Sequence, residues 1–317
     1  MTTAVEARRA LEARPRQSGP KVMSAAEAIA LVRDGDHVAI GGCLFSRTPI
    51  ALVHELIRSG RKRLEVSRNL MGQEGELLMA AGAAEVIVTS WQALGLRWGI
   101  SRVLREMVES GRVRFEEWSH LALGLRYRAG AMGVPFLPTM SMLGSDLAKG
   151  MTATISDPFS QQRVNLVPAL FPDVALIHAH RADVNGNARI DGYAHMDFDV
   201  ARAARTVIVS AEEIVDVAST RAEPDRTTIP SMLVDAVVHA PDGAYPGECY
   251  ARYETDWEHY DDYVAGIASD GLRGVDAYID RLVRGTRDHA AFIDAVGRER
   301  LEAAKAASRA LLAGPYA

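Results

Sequence analysis

The sequence predicts an α/β fold, an open and mostly parallel sheet with helices on both faces. Two features carry this. Short apolar runs rich in β-branched residues alternate with segments of helical period along the chain. The runs at 173–180 and 205–212 present near-continuous apolar faces, as strands covered on both sides require. A length of 317 residues suits one large domain or two smaller ones.

Taken in order, residues 1–20 read as a flexible tail with a short helix at 4–12, because Arg14, Pro15, Arg16, Ser18, Gly19 and Pro20 mix charge with helix breakers. Residues 21–317 form the domain. Ser24 and Glu27 have capping-box spacing and open a helix expected to run to Gly35. A buried strand at 37–42 ends in two glycines, and Pro49 opens a helix that stops at Gly60. A strand at 64–69, a short helix stopped at Gly82 and a β-branched strand at 85–90 follow. Then come a helix at 100–111, a strand at 113–118 and a helix at 120–133. After the two apolar strands, a short strand at 236–240 precedes a mainly helical end from Ser269 to Leu312, and the connections read as loops. Such sheets bind ligands at the carboxyl ends of their strands.

Composition narrows the function. A net charge of −5 lacks the basic excess that phosphate contacts need, so nucleic acid is excluded as a partner. No apolar run reaches the roughly 20 residues of a membrane span, and residues 1–21 lack a signal peptide's apolar stretch. Cys43 and Cys249 are too few for a disulfide framework. A cytoplasmic protein is expected.

The most informative segment runs from Gly35 to Pro49: a turn, a strand, the Gly41-Gly42 pair, a loop and a helix start. Two glycines permit positive φ and close approach of a ligand to the main chain. Free N–H groups there would suit an anion or a developing oxyanion, at Gly41, Gly42 and Cys43. The alternative is that the glycines only make a tight turn.

This segment resembles the alpha-subunit signature of the family I CoA-transferases. Gly35, Asp36, Val38 to Ile40, Gly41, Gly42 and Pro49 match it, whereas His37, Cys43 and Arg47 depart from it. The departures, with Pro135 to Pro138, Met142 to Asp146, Ile177 to Asp183 and Asn185 to Ala188, are similar to the glutaconate CoA-transferase branch. The resemblance implies a CoA-transferase sheet, coenzyme A as substrate rather than a tightly bound cofactor, and an acyl-CoA exchanging with a carboxylate through a glutamate nucleophile. It also implies that the nucleophile sits on a separate beta-type subunit, giving a heterodimer or heterotetramer. A second reading is a component of a CoA-dependent steroid ring-cleaving hydrolase. There a carboxylate of the alpha chain matters, and His120 stands in its place beside Glu116 and Glu117. A third is a sugar-phosphate isomerase or effector-binding module holding phosphate at the glycine loop.

Candidate residues follow. Glu74 is a nucleophile candidate, or an acidic residue stabilising a helix start. Ser46 and Arg47 follow the glycine loop, and Arg47 offers a fork of donors for a substrate carboxylate, or is a surface arginine. Asn69, Gln73, His120 and Ser145 are further substrate-binding candidates, with Ser145 alternatively a turn residue. His178 and His180 share a strand face but lack a third ligand at recognisable spacing, so no metal site is expected and a packed pair is. Arg181 and Asp183 line the site or form loop ion pairs. Asn185 to Asn187 reads as a hairpin turn. Tyr250, Tyr253, Trp257, Tyr260 and Tyr263 read as core or partner interface.

Overall fold

The computed structural model describes residues 3–13 and 19–314. The helix expected at 4–12 is α1 (Ala4–Glu12), and the breaker-rich residues 14–18 lie outside the described residues. Ser24 and Glu27 form the expected capping box and open α2 (Ala25–Ile29). That helix ends well short of Gly35. Arg33 N–H is held by Asp36 Oδ2 at 2.8 Å and Gly35 N–H by the Lys62 carbonyl at 3.0 Å, so the chain turns early toward the sheet.

The alternation then runs as expected through β1 (His37–Ile40), α3 (Ile50–Arg58), β2 (Leu64–Met71), α4 (Gln73–Ala80), β3 (Ala84–Gln92), α5 (Arg102–Glu109), β4 (Arg114–Glu117) and α6 (His120–Met132). Residues read as loop between 133 and 173 instead hold β5 (Phe136–Thr139), β6 (Ala153–Ser156) and β7 (Arg163–Pro168), a small antiparallel sheet in the order β5-β7-β6. Neither β5 nor β6 has a buried residue to mark it, and Pro138 is tolerated because β5 is an edge strand.

The second half contributes β8 (Val174–Asp183), β9 (Ala188–Arg189), α7 (Asp197–Ala203), β10 (Thr206–Val215), α8 (Val217–Ala222) and β11 (Ala236–His239). The β8–β9 turn carries Gly186 at φ +97, and Asp183 Oδ1 accepts from the N–H groups of Asn185 and Asn187, the hairpin read from the sequence. The helical end begins earlier than expected, at α9 (Trp257–Asp270), where Asp256 accepts from His259 N–H. It continues through α10 (Leu272–Tyr278), a π-helical segment (Ile279–Arg284), α11 (His289–Val296) and α12 (Arg298–Leu312). Tyr253, Tyr260 and Tyr263 are core residues, while Tyr250 and Trp257 stay half exposed.

The main sheet has the order β11-β10-β8-β1-β2-β3-β4, every neighbouring pair parallel, with β9 added antiparallel to β8. Alternation along β1 shows why both faces are covered. Val38 and Ile40 join the core under α2–α5 and the C-terminal helices, and Ala39 joins the core under α6 and α7. From β1 the chain proceeds outward through β2, β3 and β4, then returns to lay β8 on the other side of β1. The switch point therefore lies between β1 and β8, whose carboxyl ends are Ile40 and the stretch from His178 to Asp183.

Candidate active site at the carboxyl edge of the sheet

The glycine loop leaves β1 at this switch point, and its amides are already bonded. Gly41 N–H continues the ladder to the Leu176 carbonyl at 2.8 Å, Cys43 N–H goes to the Ser46 carbonyl at 2.9 Å, and Leu44 N–H to the Leu70 carbonyl at 3.0 Å. Gly42 N–H donates to Asp197 Oδ1 at 2.6 Å. Arg47 N–H goes to the Glu248 carbonyl at 2.8 Å. The expected anion cradle at Gly41, Gly42 and Cys43 is therefore corrected: these donors are occupied, and a buried carboxylate sits where an anion would go. Gly42 has φ +68, and a Cβ there would meet the Ser46 carbonyl oxygen at 2.3 Å, so the glycine serves the turn.

Two buried arginine–carboxylate pairs brace the loop. Arg47 Nη1 lies 2.5 Å from Asp197 Oδ2 and also donates to the His178 carbonyl, and its Nη2 donates to the Tyr193 carbonyl. The reading of Arg47 as a substrate grip is corrected by this: the side chain is 1% exposed and its donors are used inside the chain. On the other flank Arg68 Nη1 reaches Glu74 Oε1 at 2.5 Å and the Leu44 carbonyl, and its Nη2 reaches Thr48 Oγ1. Glu74 also accepts from Gly72 N–H at 2.9 Å, so it anchors the start of α4 rather than standing free as a nucleophile.

The thiol of Cys43 lies between these pairs, half buried, and burial pushes it above its ordinary range. Ser46 is half buried, with its N–H bonded back to the Cys43 carbonyl. Gln73 is buried against Tyr278 and does not reach the rim. Ser145 is exposed and caps a short turn by accepting from Leu147 N–H, which is the turn reading.

What remains open is a polar rim. Asn69, at the end of β2, donates to the His120 carbonyl at 3.3 Å and accepts from Ser90 Oγ at 3.1 Å. Ser90 Oγ lies 3.3 Å from Nδ1 of His120, which is exposed at the first turn of α6. His195 faces this group from the loop before α7. Partial desolvation, with the nearby Arg47 guanidinium, lowers its pKa below the usual histidine range. Ser90, His195 and Asp197 were missed by sequence reasoning. Asp197 stands 150 residues from its arginine, and no local spacing links the two.

His178 and His180 are fully buried and separately bonded, as the packed reading expects. His178 Nε2 meets Glu212 Oε1 at 2.8 Å and its Nδ1 meets Ser210 Oγ, while His180 Nε2 meets the Tyr250 carbonyl. Glu212 is held down at about 2 by the hydrogen bonds it accepts from His178 and Tyr253, which overcome its burial. Cys249 lies beside this pair, so His178, Glu212 and Cys249 bring ligand atoms within 4.8 Å of one another, with His178 Nδ1 engaged by Ser210 and Nε2 by Glu212 itself. Arg181 pairs with Asp191, and Asp183 holds the hairpin, so neither lines the rim. Of the two glutamates before His120, Glu116 is tied to Arg126, Arg114 and the Trp118 indole, while Glu117 is exposed at the end of β4.

The edge thus offers an amide, a hydroxyl and two imidazoles around a braced loop, and it keeps its adjacent carboxylates locked to arginines. The sequence profile of the Coenzyme A transferase family matches residues 22–240. The chain is 34% identical over 300 residues to the A-type subunit of glutaconate CoA-transferase from Acidaminococcus fermentans, covering 89% of this chain and 93% of that one. The crystal structure of that organism's glutaconate CoA-transferase matches with a TM-score of 0.86 at 33% identity, over 90% of this chain and 95% of the other. The A-type subunit of the 3-oxoadipate CoA-transferase from Pseudomonas knackmussii is 36% identical over 268 residues, 82% of this chain and 92% of its own. An uncharacterized protein of Archaeoglobus fulgidus is 40% identical over 291 residues, 90% of this chain; the chain spans 65% of that relative's length.

Proposed function

The chain belongs to the Coenzyme A transferase family, and from that premise we propose that it is the A-type subunit of an acyl-CoA:carboxylate CoA-transferase that works with a separate B-type subunit. The observation that carries this reading is the state of the two carboxylates beside the glycine loop. Glu74 and Asp197 are each buried and bonded to an arginine, so neither can leave its partner cheaply to attack a thioester. An open polar rim whose Glu74 and Asp197 are both locked to arginines is half of a site. The B-type subunit supplies the other half, a glutamate nucleophile.

In the reaction this glutamate oxygen attacks the acyl-CoA carbonyl, the C–S bond breaks, and a mixed anhydride and CoA thiolate form. The thiolate then attacks the glutamyl carbonyl, releasing the first carboxylate and leaving a glutamyl-CoA thioester, and the acceptor carboxylate reverses both steps. On this reading Asn69, Ser90, His120 and His195 orient the acyl group and shield the anhydride from water. Coenzyme A enters as substrate, and no bound cofactor is required. No described helix is long and apolar enough to cross a membrane. Cys43 and Cys249 stay free thiols, which suits the reducing setting of the cytoplasm.

The occupied amides of the glycine loop weigh against a phosphate-binding module. His120 in place of a carboxylate weighs against the ring-cleaving hydrolase. The test is to purify the chain alone and co-expressed with a B-type neighbour, then assay exchange between acyl-CoA donors and carboxylates. The expected result is turnover only in the complex, with a glutamyl-CoA adduct on the second chain. Normal turnover by the chain alone would overturn the reading.

A further inference from the structure

Behind the glycine loop, across the Phe45–Trp98 aromatic contact, lies a half-open cavity of about 170 Å³. Leu94, Trp98 and Ile100 from the connection after β3 and Val264 and Ile267 from α9 make its walls. An engineered apolar cavity of about 150 Å³ takes benzene, so this one has room for a ligand on the order of six heavy atoms. The walls favour a short aliphatic chain, and one acid interrupts them: Glu76 of α4, 2% exposed.

Glu76 is unlike its neighbours. Glu74 and Asp197 have arginines, whereas Glu76 has no ion-pair partner among the described residues. Its Oε2 accepts from Tyr263 Oη of α9 at 2.7 Å, and Ser101 adds a second hydrogen bond. The other charged groups near it are Glu74 on its own helix and Arg102 at the cavity wall, whose guanidinium bonds Glu106. Uncompensated burial of a carboxylate is costly, and the group escapes that cost by staying protonated; burial pushes Glu76 up to about 7. A protonated carboxyl in an apolar pocket has an O–H to donate, and the partner it suits is a neutral carbonyl.

We propose that this cavity is a binding site for a short aliphatic amide, its chain against Leu94, Trp98 and Ile267 and its carbonyl accepting from Glu76. The amide comes either from a free small molecule or from the pantetheine arm of coenzyme A, which carries the same chemistry. The site stands apart from the transferase reading, because it needs no second subunit and no turnover.

The test uses the full chain labelled with fluorotryptophan, the Trp98 resonance assigned from Trp98→Phe, and titration with valeramide, pantetheine and 1-pentanol. Both amides or valeramide alone should shift Trp98 saturably, and 1-pentanol should bind at least several-fold more weakly. Pantetheine binding at least as tightly as valeramide identifies the coenzyme arm as the source; valeramide binding without pantetheine identifies a free amide. Affinity should fall about tenfold per pH unit above 7. Glu76→Gln, nearly isosteric, should keep amide binding and lose that pH dependence, and Val264→Trp, which fills the cavity, should abolish the shift. Absence of any Trp98 shift with valeramide, equal binding of 1-pentanol, or an unchanged pH dependence in Glu76→Gln overturns the proposal.

Discussion

Asp197 and Arg47 meet across 150 residues of sequence with Oδ2 and Nη1 2.5 Å apart, neither side chain more than 1% exposed. The same carboxylate accepts the Gly42 N–H through its other oxygen, so one aspartate ties the start of α7 to both ends of the glycine loop. This pair and the Arg68–Glu74 pair hold the loop from two sides.

Removing one partner of such a pair leaves a buried charge uncompensated. Asp197→Ala and Arg47→Met should each lower the unfolding free energy by about 3–5 kcal/mol. The double variant should lose less than the sum, because the two changes act on one interaction. Urea denaturation reads both. An Arg47→Met chain with an unchanged midpoint, and with poorer affinity for dicarboxylic substrates alone in the complex, would restore the substrate-grip role.

Gly42 makes a second case. A Cβ there would meet the Ser46 carbonyl oxygen at 2.3 Å and the Arg47 carbonyl oxygen at 2.6 Å, in backbone at φ +68. Gly35 also has positive φ, at +84, yet a Cβ there meets nothing within 4 Å. Gly35→Ala should therefore cost about 1 kcal/mol, from backbone conformation alone, and Gly42→Ala clearly more. Equal melting temperatures for the two variants would mean that the loop relaxes around the added methyl.

The contrast between these positions shows what is legible in a sequence. The alternation of strand and helix patterns locates the seven parallel strands of the main sheet, including the four-residue β4, which no buried stripe marks and which its position between two helical segments reveals. The small sheet escapes, since Ala153–Ser156 is exposed along its whole length and carries no buried stripe. At the site, the glycine loop is visible but its chemistry is not. Gly41-Gly42 looks the same whether its amides are free or bonded, and the carboxylate that decides the matter enters from residue 197. Arg47 is misread for the same reason. Asn69 and His120 do stand at the sheet edge, because strand ends and helix starts are local properties.

Acid should destabilise the chain. Burial lowers His37 to about 3 and His289 to about 4, and it lowers His54 strongly as well. A histidine held neutral in the fold takes up a proton more readily when unfolded, so stability falls as pH drops from about 6.5 toward 4. Glu76 acts in the opposite sense: raised to about 7, it binds its proton more tightly in the fold and loses stability as pH rises from about 4.5 to 7. The histidines outnumber it, so the net stability should decline on acidification. Glu76→Gln should steepen that decline and His289→Asn should flatten it, in urea midpoints taken from pH 7 to pH 5. A midpoint independent of pH over this range would show that the buried rings find water or move.

The rim supplies the prediction that separates fold from chemistry. His120 is exposed, and its ring meets Ser90 Oγ at 3.3 Å. Removing an exposed ring of this kind should change stability by no more than about 0.5 kcal/mol. Asn69 is different: it is 5% exposed and bonds both Ser90 Oγ and the His120 carbonyl, so Asn69→Ala should lower stability and activity together. If His120 orients a substrate oxygen in the complex, His120→Ala should leave the melting temperature in place and lower kcat/KM by roughly tenfold to a hundredfold. That is the loss expected for one hydrogen bond to a charged group, about 1.5–3 kcal/mol. His120→Gln keeps a donor at similar reach and should recover part of the loss, which a residue that only packed against the second subunit would not show. Unchanged kinetics in His120→Ala would move the substrate away from the first turn of α6 and toward His195 on the loop before α7.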